Sequence, residues 1–264
     1  MKKMTIKEQK RVMIEILEYF DSICRKNNIK YSLIGGSLIG AIRHKGIIPW
    51  DDDIDVVLDK YNYRKIVEIL KKDNNPKYKL LTKDRVKDYY FSFPKLVATN
   101  TFVREEKCLQ ECKQYGIFID ILYYNNLPKD NKLFKKLKLL NSLLSRKKLD
   151  FKNESFKQNF LRFNKNLISL MIGYNNILKM KNRLETNNVD DKYAVITLPL
   201  RSIEKEYQLN KNIKEYIDVP FENIKAMIYK NYDEILKTTF GDYMQLPPKS
   251  ERTIHGLEAY WRDK

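Results

Sequence analysis

The chain has 264 residues, 43% apolar and 32% charged, enough to bury a core as one or two packed units. Lys and Arg outnumber Asp and Glu by 51 to 34, a net charge of +17, which points to polyanionic partners: phosphates, anionic lipid surfaces, anionic polymers or nucleic acid. Only 8 Gly and 8 Pro, with no repetitive tract, exclude collagen-like, low-complexity and wholly disordered architectures.

Met13, Ile16, Leu17, Phe20, Ile23 and Cys24 recur at helical spacing, so residues 6–26 read as an amphipathic helix ending near Asn27-Asn28. Residues 29–34 read as a short strand that runs into Gly35-Gly36-Ser37, where the backbone turns sharply into a helix over 38–43. Asp51-Asp52-Asp53-Ile54-Asp55-Val56-Val57-Leu58 reads as a strand with acids at its start. A helix over 61–72 follows and stops at Asn74-Asn75-Pro76. Segments 78–82, 89–97 and 116–123 are further strand candidates. Residues 129–183 hold 15 Lys plus Arg against 3 Asp plus Glu, a net +12 of the chain's +17. Leu133, Leu137, Leu140 and Leu144, then Phe156, Phe160, Phe163, Leu167 and Met171, fall on helical stripes, which predicts two basic amphipathic helices. One or two helices are expected between about 210 and 238, followed by an irregular tail over 240–248.

Three cysteines, Cys24, Cys108 and Cys112, are too few for a disulfide framework and predict a reducing compartment. Cys108 and Cys112 have no nearby His or further Cys to complete a zinc set, so packing is expected of them. Charges at Lys7, Glu8, Lys10, Arg11 and Glu15 interrupt the start of the chain and leave no signal-peptide apolar region. No apolar run approaches the roughly 20 residues of a spanning helix. The expectation is a cytoplasmic protein, peripheral at the inner face of the membrane if it meets a membrane at all.

Four carboxylates within five positions, Asp51, Asp52, Asp53 and Asp55, repel one another unless a cation sits among them. Alternation along a strand would put Asp53 and Asp55 on one face, and two oxygen ligands so placed suit Mg²⁺, with Mn²⁺ as the substitute. The bland alternative is a solvated acidic turn. Asp120 stands among Ile117, Phe118, Ile119, Ile121 and Leu122, where an ionised carboxylate needs either a metal or a buried Lys or Arg beside it. Gly36 and Ser37 can offer backbone N–H groups and a hydroxyl to a phosphate, although such turns are also common for purely structural reasons. Arg43, His44 and Lys45 are candidate phosphate-facing cations, with a hydrogen-bonded structural role the plainer reading of His44. Trp50 would cover a base or acceptor sugar, or simply pack.

The run Tyr31-Ser32-Leu33-Ile34-Gly35-Gly36-Ser37-Leu38-Ile39-Gly40-Ala41-Ile42-Arg43-His44-Lys45-Gly46-Ile47-Ile48-Pro49-Trp50-Asp51-Asp52-Asp53-Ile54-Asp55-Val56 resembles the signature of the LicD family, named for bacterial phosphocholine transferases and related to the fukutin-type ribitol-phosphate transferases. The resemblance covers 29–58 closely, 114–124 fairly, the opening helix loosely and the tail from Phe240 to Pro248 weakly; block 129–183 matches no family pattern. It implies an α+β, nucleotidyltransferase-like core with a small mixed β-sheet flanked by helices. Residues 1–128 would form this catalytic core, 129–189 a basic amphipathic helical insertion, and 190–264 a C-terminal segment completing the domain. The turn is Gly36-Ser37, the acidic pair Asp53 and Asp55, and the third acid Asp120, all three acids being implied metal ligands and catalytic residues. The implied activity is Mg²⁺-dependent transfer of an alcohol phosphate, phosphocholine first, from a CDP-alcohol such as CDP-choline to a hydroxyl of a cell-envelope glycan or teichoic acid precursor, releasing CMP. The glycan acceptor would be lipid-linked, with 129–183 contacting an anionic membrane, and nucleic acid is set aside as a partner. Two alternatives stay open: a nucleotidyltransferase acting on a small molecule or RNA, and a catalytically silent polyanion- or lipid-binding protein, against which the intact acids argue.

Overall fold

The computed structural model describes the whole chain except residues 90, 106–111, 146–148, 152–154, 199, 253–256 and 264. Cys108 and the cations Arg146, Lys147 and Lys148 therefore lie outside the described residues. After the two-residue strand β1 (Lys2–Lys3) comes helix α1 (Ile6–Lys26). Its start is set by a capping box in which the Thr5 hydroxyl accepts from the Glu8 N–H and the Glu8 carboxylate accepts from the Thr5 N–H. Val12, Met13, Ile16, Leu17, Phe20 and Cys24 are buried and form the face that α1 lays on the sheet. Cys24 and Cys112 are buried free thiols, in keeping with a packing role.

The next elements bring the sequence motif together. Strand β2 (Ser32–Leu33) is shorter than the expected 29–34 and leads into α2 (Gly35–Ile39), which continues as a π-turn over Gly40–His44. The helix thus starts at Gly35, whose φ of +61° turns the chain, rather than at residue 38. Asp51, Asp52 and Asp53 lie in irregular chain and strand β3 begins only at Asp55 (Asp55–Asp59), so the expected alternation along one strand holds for Asp55 but not Asp53. Helix α3 (Lys60–Lys72) is capped by the Asp59 carboxylate. Strands β4 (Tyr78–Leu81) and β5 (Lys95–Ala98) follow, the latter starting only after Pro94 although 89–97 was expected to be extended. An unforeseen strand β6 (Thr101–Glu105) precedes β7 (Phe118–Asn125), every residue of which is buried.

Among its described residues the basic block contains three helices rather than two: α4 (Asn131–Leu144), α5 (Phe156–Ile172) and α6 (Tyr174–Asn187). Gly173, at φ +81°, separates the last two. Helix α4 buries Leu133, Phe134, Leu137, Leu140, Leu143 and Leu144. Helix α6 meets the sheet through a polar network: Lys181 Nζ donates to Thr197 Oγ1 at 2.9 Å and the Tyr123 hydroxyl to Glu185 Oε2 at 3.0 Å, while Lys181 and Glu185 pair at 3.5 Å. Beyond it come β8 (Tyr193–Ile196), α7 (Ile203–Glu206) and β9 (Tyr207–Leu209). Between about 210 and 238, where one or two helices are expected, the chain first forms a hairpin, β10 (Tyr216–Phe221) and β11 (Ile224–Tyr229), and then an expected helix, α8 (Tyr232–Phe240). Phe221 pairs with Ile224, leaving Glu222-Asn223 as a two-residue turn with Glu222 at φ +51°. Strand β12 (Leu257–Trp261) pairs antiparallel with both β1 and β6.

The main sheet is mixed, with the order β2-β3-β7-β5-β4, and β8 followed by β9 extends the far end of β7. Strands β3 and β7 are its parallel pair, with Asp55 opposite Asp120. On its other side β7 runs antiparallel to β5, with Lys95 opposite Asp120. The architecture is therefore α+β, a mixed sheet flanked by helices, as expected. Its register sets Asp55, Asp120 and Lys95 abreast on three adjacent strands.

Candidate active site

The glycine turn and the acidic segment are interlocked. Ser37 is buried and its hydroxyl accepts the Asp55 N–H at 2.9 Å. Gly35 lies against Asp55, with an added Cβ falling 3.7 Å from Asp55 Oδ2, and Gly36 lies against Asp51, where a Cβ would fall 2.4 Å from Oδ2. A side chain at 36 would oblige the Asp51 carboxylate to turn aside. From α1, Lys10 Nζ donates to the carbonyls of Ile48 and Pro49 at 2.8 and 2.9 Å, pinning the chain just ahead of the acids. The Glu222 carboxylate accepts the Ile47 N–H at 2.9 Å, so the β10–β11 turn grips the same loop.

The carboxylates crowd one end of the sheet. Burial, then the charges of Asp53 and Asp120, push the half-buried Asp55 carboxyl well above the usual carboxylate range, against the pull of Lys95. Lys95 pairs with Asp120 Oδ1 at 2.5 Å, both buried. Its ammonium also lies 3.5 Å from the ring centre of Phe118, 4.3 Å from Phe91 and 5.2 Å from Phe93, an aromatic box that holds a desolvated cation. Asp120 therefore has the buried lysine that was one of its two expected partners. Among the described residues, no three His, Cys, Asp or Glu side chains converge as a metal-ion set.

Arg43, His44, Lys45 and Trp50 stand on the π-turn and the loop after it. The Arg43 guanidinium donates to the carbonyls of Tyr243 and Gln245 at 2.6 and 3.0 Å, and its Nε to His44 Nε2 at 3.0 Å. It thereby ties the irregular tail to the motif. Burial, then the nearby charges of Arg43 and Lys10, lower the His44 pKa below its ordinary value, which favours the neutral, accepting imidazole. Lys45 is exposed in a left-handed conformation at the end of the turn. Trp50 is half-buried, edge-on to His44 and covered by the Arg252 guanidinium at 4.2 Å. Gly36, Ser37, Asp53, Asp55 and Asp120 are thus gathered around the start of β3 and β7, with this second group held against the tail.

The family model for the LicD/FKTN/FKRP nucleotidyltransferase domain matches residues 28–159. A lipopolysaccharide cholinephosphotransferase, LicD, from Haemophilus influenzae is 30% identical over an alignment of 272 positions that spans 98% of this chain and 99% of that protein. The chain belongs to the LicD family. Shorter likenesses cover parts of the chain: the human ribitol 5-phosphate transferase FKRP is 44% identical over 46 residues, 17% of this chain and 9% of that protein, and an uncharacterized Rickettsia typhi protein is 37% identical over 70 residues, 25% of this chain and 23% of that one. This LicD-family chain is thereby a phosphotransferase of that family.

For the divalent cation the family resemblance implies, the donor chemistry fits. Burial, then the charges of Asp53 and Asp120, disfavour an ionised Asp55 with no cation beside it, and the nearby side chains are hard oxygen donors. Two residues of this LicD-family site had not been singled out. Lys95 sits at the start of an apolar segment, and its pairing with Asp120 depends on which strands become neighbours. Lys10 reads as an ordinary polar-face lysine of α1, and its grip on residues 48 and 49 has no local signal.

Proposed function

We propose that the protein moves an alcohol phosphate, phosphocholine as first choice, from a CDP-alcohol to a hydroxyl of a cell-envelope glycan, with CMP leaving. The observation that carries this reading is the end-to-end likeness to a cholinephosphotransferase, combined with an acidic row held against a glycine turn. In the reaction the acceptor oxygen bonds to the phosphorus bearing the alcohol, the bond from that phosphorus to the CMP oxygen breaks, and the hydroxyl proton passes to a carboxylate or to solvent. Asp53, Asp55 and Asp120 would hold Mg²⁺, or Mn²⁺, which when bound neutralises charge on the donor pyrophosphate. Lys95 holds Asp120 in place through their ion pair, and Asp120 so held would orient the attacking hydroxyl. Ser37 fixes the backbone at Asp55, and bare Gly35 and Gly36 leave the approach to the acids open. Arg43 and Lys45, as cations beside this turn, would offset charge on phosphate.

The test is incubation of the purified protein with Mg²⁺, a panel of CDP-alcohols and candidate glycan acceptors, with nucleotide products separated by chromatography. CMP formed in step with acceptor modification, and fastest with CDP-choline, is the expected result. Pyrophosphate release or a nucleotidylated acceptor would overturn the proposal in favour of nucleotidyl transfer.

A further inference from the structure

Helix α5 is amphipathic in the wrong sense for a packed helix. The two residues it buries are polar, Asn159 and Ser169. Phe156, Phe160, Phe163, Leu167, Leu170 and Met171, which recur at three- and four-residue steps and so share one stripe, are between 45% and 79% exposed. A soluble helix turns such a stripe to the core, and six large apolar side chains left contiguous in water mark an interaction surface. Asn159 shows that the polar side is the one built to face inward: its Nδ2 donates to the carbonyls of Asp150 and Ser155, and its Oδ1 accepts the Asp150 N–H at 2.7 Å.

Charge selects the occupant. The ionic residues of α5 are Lys157, Arg162 and Lys165, without an acid, and they stand in a block of net +12. A second copy would bring two positive blocks face to face, whereas an anionic bilayer offers hydrocarbon to the stripe and phosphates to Lys157 at its edge, Arg162 and Lys165 falling on the other side of the helix. No described helix is long and apolar enough to cross a membrane, so such contact would lie in the plane of the interface. The helix also ends beside the site. Past Gly173, the Tyr174 hydroxyl donates to the carbonyl of Phe91 at 2.9 Å, and Phe91 is one wall of the box around Lys95.

We infer that α5 is an interfacial docking helix that lies with its Phe156–Met171 stripe in the headgroup region of an anionic lipid bilayer and sets the carboxylate site close to that surface. The inference is independent of which alcohol phosphate is transferred. It is tested by flotation of the full chain with vesicles of phosphatidylglycerol and phosphatidylcholine, or phosphatidylcholine alone, over a salt series, alongside Phe160→Ser/Leu167→Ser/Met171→Ser and Lys157→Glu. Binding to the anionic vesicles is expected, falling as salt shortens the Debye length. The triple variant should bind roughly 100-fold more weakly at every salt concentration, because the apolar contribution scales with buried area, while its circular dichroism stays that of the wild type. Lys157→Glu should weaken binding severalfold at low salt only. Absence of wild-type binding to anionic vesicles at low salt would overturn the inference, as would binding untouched by the triple variant. A wild-type dimer that the triple variant converts to monomer would assign the stripe to self-association and equally overturn it.

Discussion

Replacing Lys95 by methionine isolates the charge at the centre of the site. The methionine keeps an unbranched apolar stem of similar reach, so contact with Phe118, Phe91 and Phe93 is largely retained, and what is lost is the ammonium. Lys95 and Asp120 have 3% and 11% of their side chains exposed, so the carboxylate left behind has little water to turn to, and the repulsion at Asp55 loses the cation that opposes it. Removing one partner of a buried pair costs about 3–5 kcal/mol, a fall in Tm of roughly 6–20 °C for a chain of this size. The decisive measurement is a double-mutant cycle by urea unfolding in EDTA. Because the loss comes from an uncompensated charge, Lys95→Met/Asp120→Asn should recover to within about 1–2 kcal/mol of the wild type. A single-variant loss below about 1 kcal/mol, or a double variant that loses the sum of the two singles, would refute this account of the site.

Asp55→Asn should reduce transfer by roughly 100-fold or more while leaving metal-free stability unchanged or higher, since a neutral amide escapes the repulsion of Asp53 and Asp120; turnover assays and thermal unfolding in EDTA check both halves. Gly36→Ala should cost less than about 1 kcal/mol in the same unfolding assay, because the atom its Cβ meets is the tip of the Asp51 side chain, which can turn aside; a larger loss would show that carboxylate to be held fast. Arg43→Ala should release residues 243–245 from the motif, seen as faster limited proteolysis in the tail at an unchanged rate elsewhere. The Arg25 guanidinium, bound to Asp218 through both oxygens at 2.8 and 3.1 Å, lowers the Asp218 carboxyl. A depressed folded value stabilises above the unfolded one and is lost as pH falls through the folded one. The pair is partly exposed, so Asp218→Asn should cost about 0.5 kcal/mol at neutral pH and progressively less as the pH falls below the ordinary carboxylate range, compared by urea titration across a pH series.

Features that neighbouring residues determine were legible before folding was considered. The stripe of α1, the glycine turn, the stop at Asn74 and the acids ahead of Val56 each declare themselves within a few positions. The partner of Asp120 did not, because Lys95 meets it only through the antiparallel pairing of β5 with β7, and a buried lysine in a strand looks like any other. The β10–β11 hairpin is hidden in the sequence because Asp218 and Pro220 interrupt its apolar pattern, and Pro220 argues against a strand. The orientation of α5 was also hidden: an apolar stripe specifies that one face differs from the other, not which face meets the protein.

The pairing of β12 with both β1 and β6 bears on how the molecule is made. Trp261 Nε1 donates to Glu8 Oε1 at 3.1 Å, the carboxylate whose other oxygen closes the cap of α1, and the Met4 N–H donates to the Ala259 carbonyl at 2.8 Å. Helix α1 in turn carries Lys10, which pins the chain ahead of the acids. Contacts between residues some 250 positions apart form late and slowly, and domains generally fold as units during synthesis. A nascent chain therefore has its motif translated long before β12, the strand that steadies the helix behind it, and α1 gains that support only once β12 has paired between β1 and β6.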